Sequence, residues 1–202
     1  MTGAPYLRDL EDVRRSPTLD YLATFHKLAH MLPAMHSSAH HIVEPMDHPI
    51  SHRHLRITHS SMLYSDKTFM GMTTSGQNAE DVLDMCAILF GEEYLETHAV
   101  VTGNCNGNSP LVWDETMLSA MRAFNRRNQP VLCSPFVLGG ANTPASTVPT
   151  VAQLNAEALS ALAYTQVIRP GCPAIYGHYL STVSMQSGAP MAGTPEISLM
   201  NF

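Results

Sequence analysis

The chain has 202 residues, of which 45% are hydrophobic and 14% charged, with a formal charge of −6 and a pI near 5.9. That length supports one sizeable core and falls short of the roughly 250 residues of a complete (β/α)8 barrel, while the charged share is below the roughly 25% usual in globular chains. The acidic balance excludes a nucleic-acid backbone as partner, no apolar run reaches the roughly 18–20 residues that span a bilayer, and Met1 to Arg15 lacks a signal-peptide core, so a cytoplasmic, non-membrane protein is expected.

In chain order, Thr18 to Met31 has helical spacing through Leu22, Phe25, Leu28 and Ala29. His40 to Glu44 reads as a strand and Ile50 to Tyr64 as another helix. From Thr68 onward a short β-type run, polar turn residues and an amphipathic helix alternate, with strands beginning near Thr68, His98, Pro130 and Pro173. The starts lie 30, 32 and 43 residues apart, which suits the crossovers of a parallel sheet.

The helices between them carry start and stop signals. Asn78 is the expected N-cap of a helix with Val82, Met85, Cys86 and Leu89 on one face and Gly91 as its stop. Asp114 is expected to cap a helix bearing Met117, Met121 and Phe124 and ending in Arg126, Arg127 and Asn128. Val151, Leu154, Ala158, Ala161 and Leu162 line a third, which must stop by Arg169 because Pro170 disfavours helical geometry before it. Thr194-Pro195-Glu196 reads as the cap and first turn of a last helix. The expectation is an α/β chain of (β/α)8 TIM-barrel type, a single domain over 1–202 holding about five βα units. An incomplete barrel exposes a sheet edge, so self-association into a homo-oligomer is also expected.

Cys86, Cys105, Cys133 and Cys172 have no Cys-x-x-Cys spacing, which points to reduced, packed thiols. Nine of the eleven histidines fall between His26 and His59, including His40-His41 and the pairs His26/His30 and His36/His40. Their spacing does not converge from any single element and the Glu of His-Glu-x-x-His is absent, so solvated or packing histidines are favoured and no metal ligand is assigned.

In a barrel the loops after the strands build the active site. Here they are rich in small and neutral polar residues: Asn104 to Pro110, Gly139 to Pro144, and Gly177-His178-Tyr179 leading to Gln186 to Pro190. Turn chemistry alone explains such composition, but these loops exceed the usual length of βα connections, which favours function. Trp113, Phe136, Tyr176 and Tyr179 offer faces for a cation.

Taken together, Asp66 to Gly71, Gly107-Asn108-Ser109-Pro110-Leu111-Val112-Trp113-Asp114, Gln153-x-Asn155-Ala156-Glu157, Val167-x-Arg169-Pro170-Gly171 and Met185-x-Ser187-Gly188-Ala189-Pro190-x-x-Gly193-Thr194-Pro195-Glu196 resemble the trimethylamine methyltransferase family, in matching order over about 65–196. The resemblance implies a (β/α)8 barrel of methylamine metabolism or methanogenesis. Such a barrel moves a methyl group from trimethylamine, or from a quaternary amine such as glycine betaine, to the cobalt of a corrinoid. It also implies that the corrinoid sits on a separate partner protein and that this chain binds no cofactor itself. By this analogy Asn104, Asn108, Ser134, Tyr176, His178 and Gln186 are the expected cavity-lining residues, and no catalytic residue is assigned. Family members are longer, and the pyrrolysine that some of them use is expected beyond Phe202. The alternatives are an inactive barrel fragment that acts through self-association or pairing with another chain and, behind it, a His-rich metal-binding module.

Overall fold

A computed structural model describes residues 4–38 and 42–200. The first part is a short antiparallel ribbon, β1 (Leu7–Arg8) with β2 (Arg14–Arg15), followed by helices α1 (Leu19–Met31) and α2 (Ile50–Tyr64). Thr18 caps α1 by accepting the Tyr21 N–H. The two helices close on Leu22, Val43 and Ile57, and the buried edge of α1 is completed by Ala23, His26 and Ala29. Leu28, expected inside, is exposed. His26 takes the place of an apolar residue because its ring is within hydrogen-bond distance of two α2 hydroxyls, Ser60 at 3.0 Å and Ser61 at 3.4 Å.

The expected strand over His40 to Glu44 is not found among the described residues. His40 and His41 lie outside them, and Val43 makes only an isolated bridge to Ala4. Upstream, Ser37 adds a bridge beside Thr68 at the edge of the main sheet.

That sheet is built by the alternating part of the chain. In order come β3 (Phe69–Gly71), α3 (Gly76–Phe90), α4 (Glu92–Thr97), β4 (Val101–Cys105), α5 (Glu115–Arg126), β5 (Val131–Cys133), β6 (Phe136–Gly139), α6 (Thr147–Ile168), β7 (Ala174–Tyr176), β8 (Tyr179–Val183), β9 (Pro190–Met191) and α7 (Pro195–Met200). Strands β3-β4-β5-β7 form a four-stranded parallel sheet in sequence order. Sequential order with parallel crossovers places the helices on one face, and α5 accordingly packs between α3 and α6. A second sheet, β6-β8-β9, follows directly on the first. The pairing offset of 43 residues is the same below the junction (Cys133 with Tyr176) and above it (Phe136 with Tyr179), so the two strand pairs continue each other through Ser134-Pro135 and Gly177-His178.

The main core lies between the sheet and the helix layer, and Phe124 of α5 is its centre. A Cβ on Gly103 would come within 2.9 Å of the Phe124 ring, and one on Gly71 within 2.8 Å. The bare backbones of β3 and β4 are what let this ring lie flat against them.

The expected helices are present with shifted details. Ser75, not Asn78, caps α3: its hydroxyl accepts the Asn78 N–H at 3.0 Å, so the helix begins three residues earlier. Its buried face is Ala79, Val82, Leu83 and Cys86, and Leu89 points outward. Asp114 caps α5 as expected, accepting from Met117 at 2.8 Å. In α6 the buried line is Thr150, Leu154, Glu157, Ala158, Ala161 and Thr165, which leaves Val151 at the surface. All four cysteines are free and buried, and burial pushes the Cys86 and Cys133 thiols up to about 12 and Cys105 higher still, so none is an activated nucleophile. No helix among the described residues is long and apolar enough to cross a membrane.

Candidate functional site

Side chains alternate along a strand, so the residues that do not meet the helices share the opposite face. Met70 pairs with Thr102, Asn104 with Leu132, Leu132 with Ile175, and Phe136 with Tyr179, which gives one continuous uncharged surface. It runs from the apolar lower strands to an aromatic top, where the Phe136 and Tyr179 rings stack at 4.8 Å between centroids and 12° between planes. Both rings remain partly open, at 40% and 46% exposure. Gly177 belongs to this face, since a Cβ there would strike Leu132 Cδ1 at 2.5 Å.

The six expected cavity residues divide. Asn104 and Ser134 lie on this face at the C-terminal ends of β4 and β5, almost fully buried at 9% and 8% exposure. The Asn104 Oδ1 is buried without a hydrogen-bond partner among the described residues, while the backbone is tied down by Thr73 Oγ1 donating to Asn104 O and by the Ser134 N–H donating to Cys105 O. Tyr176 turns the other way: its hydroxyl donates to Asn155 Oδ1 on α6. His178 falls between Tyr176 and Leu180, both directed at α6, and alternation puts it on their side. Asn108 stands in the rim loop, donating to Asp114 Oδ2 at 2.5 Å. Gln186 is exposed in the turn between β8 and β9, because the residues from Tyr179 to Val183, expected in the loop, form a strand.

Glu157 organises the rim and was not singled out as a site residue. It is 2% exposed on α6, and its carboxylate accepts from Ser109 Oγ at 2.5 Å, from the Leu111 N–H at 2.8 Å and from Gln153 Nε2 at 2.9 Å. Gln153 also donates to Asn142 O, and the Asn142 side chain holds β6 by accepting the Leu138 N–H and donating to Phe136 O. One buried acid thus joins the loop after β4 to the loop after β6. Its sequence signal was the Gln153-x-x-x-Glu157 spacing, which puts both side chains on one helical face.

The described histidines of the cluster do not converge; His40 and His41 lie outside the described residues. His26 is sealed between α1 and α2, and the His54 Nε2 meets Asp81 of α3 at 2.8 Å. Among the described residues no group of three or more His, Cys, Asp or Glu side chains is arranged to hold a metal, and a His-rich metal module is not favoured.

The chain is thus an α/β protein whose parallel sheet carries a neutral polar and aromatic surface, framed by loops held on a buried acid. The chain belongs to the trimethylamine methyltransferase family, whose model (Trimethylamine methyltransferase, MTTB) matches residues 1–202. It is 38% identical over 198 residues to a glycine betaine methyltransferase of Desulfitobacterium hafniense, covering 98% of this chain and 41% of that relative. It is 29% identical over 145 residues to a proline betaine:corrinoid methyltransferase of Eubacterium limosum, covering 69% of this chain and 30% of the relative. A trimethylamine methyltransferase of Methanosarcina thermophila is 23% identical over 146 residues, covering 71% of this chain and 30% of the relative. The chain therefore spans less than half the length of these relatives.

Proposed function

We propose that residues 1–202 contribute part of a (β/α)8 barrel that moves a methyl group from a quaternary amine of the glycine betaine class to the cobalt of a corrinoid carried by a separate protein. The observation that carries this reading is the uncharged face holding Asn104 and Ser134 at the C-terminal ends of β4 and β5 and, just beyond them, Phe136 and Tyr179 at the starts of β6 and β8. A fully methylated ammonium donates no N–H, so a site for it needs diffuse negative potential and not a paired carboxylate. Aromatic faces and an unpaired amide oxygen supply that. The greater identity to the two betaine methyltransferases than to the trimethylamine enzyme supports the quaternary class.

The corrinoid supplies the nucleophile. This chain positions the amine, keeps water from the methyl group and offers a polarised surface to the positive charge that disperses as the carbon–nitrogen bond breaks. Within it, Asn104 and Ser134 contact substrate, Phe136 and Tyr179 face its cationic end, and Asn108 belongs to the rim loop, while Tyr176 and His178, turned toward α6, support the strands from behind. The protein is mixed with a reduced corrinoid protein and glycine betaine, proline betaine or trimethylamine, and the visible spectrum of the corrinoid is followed. Methyl transfer is expected with a betaine first; an unchanged spectrum with every amine overturns the reading.

A further inference from the structure

Outside the rim, a run of basic side chains lies along the outer side of α2, where the His52 ring is 2.7 Å from Ser51 Oγ. His48, His52, Arg56 and His59 line a groove of about 630 Å³ that Met85 of α3 closes on the other side. His52, Arg56 and His59 recur at i, i+4 and i+7, so they share one helical face, and all three are exposed. No carboxylate lines the groove. The acids near it are engaged elsewhere: Asp81 accepts from Gln77 and contacts His54, Glu44 pairs with Arg53 at 2.9 Å, and Asp47 accepts the Leu19 N–H while standing 3.9 Å from His48. From α1, His26 is held neutral by burial and Lys27 lies over the Tyr64 ring. The first turn of α2 contains no acid, and its N-cap, Pro49, offers no side-chain acceptor.

We propose that this groove docks an acidic helix of a partner protein. From His52 to His59 the basic side chains extend about 10 Å along the axis at about 1.5 Å per residue, roughly one per turn. That is too long for a single phosphate and matches Asp or Glu side chains repeating every three or four residues on a helix packed alongside. The imidazoles do not gather around one point, so an ion is not the occupant. Placement agrees with a partner that must reach the rim: α2 leads through only 65–68 into β3, so its first turn stands at the end of the sheet where β3 finishes. The inference uses none of the site residues, and only this agreement in placement rests on the proposed methyl transfer.

The probe is a synthetic helical peptide with Glu at every third or fourth position, titrated into the protein at pH 6.0 and 8.0 while the histidine ring and arginine side-chain NMR signals are followed. Histidine is the side chain that gains charge over this range. The expected result is shifts confined to His48, His52, Arg56 and His59. Affinity should be about tenfold higher at pH 6.0, with loss of binding in His52→Gln/His59→Gln and in 0.3 M salt. Equal affinity at both pH values, or binding indifferent to those substitutions, overturns the proposal. So does inorganic phosphate shifting the same signals while the peptide does not, or self-association in sedimentation at pH 6.0 that places a second copy of the chain in the groove.

Discussion

At the N-terminal ends of β4 and β5 polar groups are paired several times over, while at the C-terminal ends several buried polar atoms have no partner. Below the sheet, the fully buried Gln129 donates from Nε2 to Leu95 O at 2.7 Å and His98 O at 2.9 Å, and its Oε1 accepts the Val100 and Val101 N–H groups. Around it Arg127 reaches Asp84 and Glu92, and Arg169 pairs with Glu96, which holds that carboxyl below the usual range. Above the sheet, Asn104 Oδ1, Trp113 Nε1, His178 Nδ1 and Thr182 Oγ1 are buried without a partner among the described residues. Asn125 Oδ1 and Ser38 Oγ, the latter beside Thr68, are likewise unpaired toward the lower end, and His54 Nδ1 is unpaired on α2. Unpaired buried polar atoms are costly and rare, and a group of four at one end is the pattern expected where a fold gives up stability for a site.

The largest effect that tests this contrast comes from the lower end. Gln129→Leu leaves two strand N–H groups and two helix-end carbonyls unpaired, and the expected loss is about 3–5 kcal/mol, read from the urea midpoint at unchanged slope. A loss below about 1 kcal/mol would place the stability elsewhere.

Next in size is an acid effect at the α1–α2 seam. Burial pushes His26 down to about 4 from its ordinary 6.5. Between those values the unfolded chain binds a proton that the folded chain does not. Stability should therefore be unaffected by this group above about pH 6.5 and fall by up to about 3 kcal/mol as pH drops to 4. Urea midpoints measured against pH for the natural chain and for His26→Gln isolate the effect, because the other carboxylates titrate in both. Parallel curves would mean that His26 is hydrated in solution.

How much of this was legible in the sequence follows the range of the interactions. The four parallel strands and their helices were readable because apolar spacing, the Asp114 cap and the Gly91 and Pro170 stops act over a few residues. Helix α4 was missed because six residues are too few to show a period. Strand β8 was missed because Gly177-His178-Tyr179 has turn composition, and only pairing with β6, 43 residues earlier, makes it extended. The buried polar residues were the least readable. His26 meets Ser60 across 34 residues, Gln129 meets Leu95 across 34, and Glu157 meets Ser109 across 48. Apart from the Gln153-x-x-x-Glu157 spacing, nothing local distinguishes them from surface residues. The same reason split the site: Asn104 and Tyr176 both end strands, but only the pleat decides which face each presents.

A smaller effect separates rim support from core stability. Glu157→Gln keeps the shape but replaces a three-bond carboxylate acceptor with an amide that must present an N–H to one of the donors. The expected cost is about 1–2 kcal/mol. Hydrogen exchange should speed up at Leu111 and leave Val101 and Val131 as they are. Uniform acceleration would make Glu157 a core residue and not a clamp for the rim.

The smallest stability effect is the sharpest test of the comparison. Asn104→Leu removes a buried acceptor that has no partner and puts a side chain of similar size on a face already carrying Leu132 and Ile175. If the orphaned oxygen is there for a ligand, the fold gains nothing from it, and the unfolding free energy should change by less than about 1 kcal/mol in either direction. Betaine binding, followed by the ring signals of Phe136 and Tyr179, should weaken by about tenfold or more, the cost of one lost polar contact in a desolvated site. Gln129→Leu should do the reverse, leaving the midpoint far lower but the affinity of the remaining folded molecules unchanged. A large stability loss in Asn104→Leu with unchanged binding would mean that Asn104 is held by an ordered water, and that the two ends of the sheet differ in hydration and not in purpose.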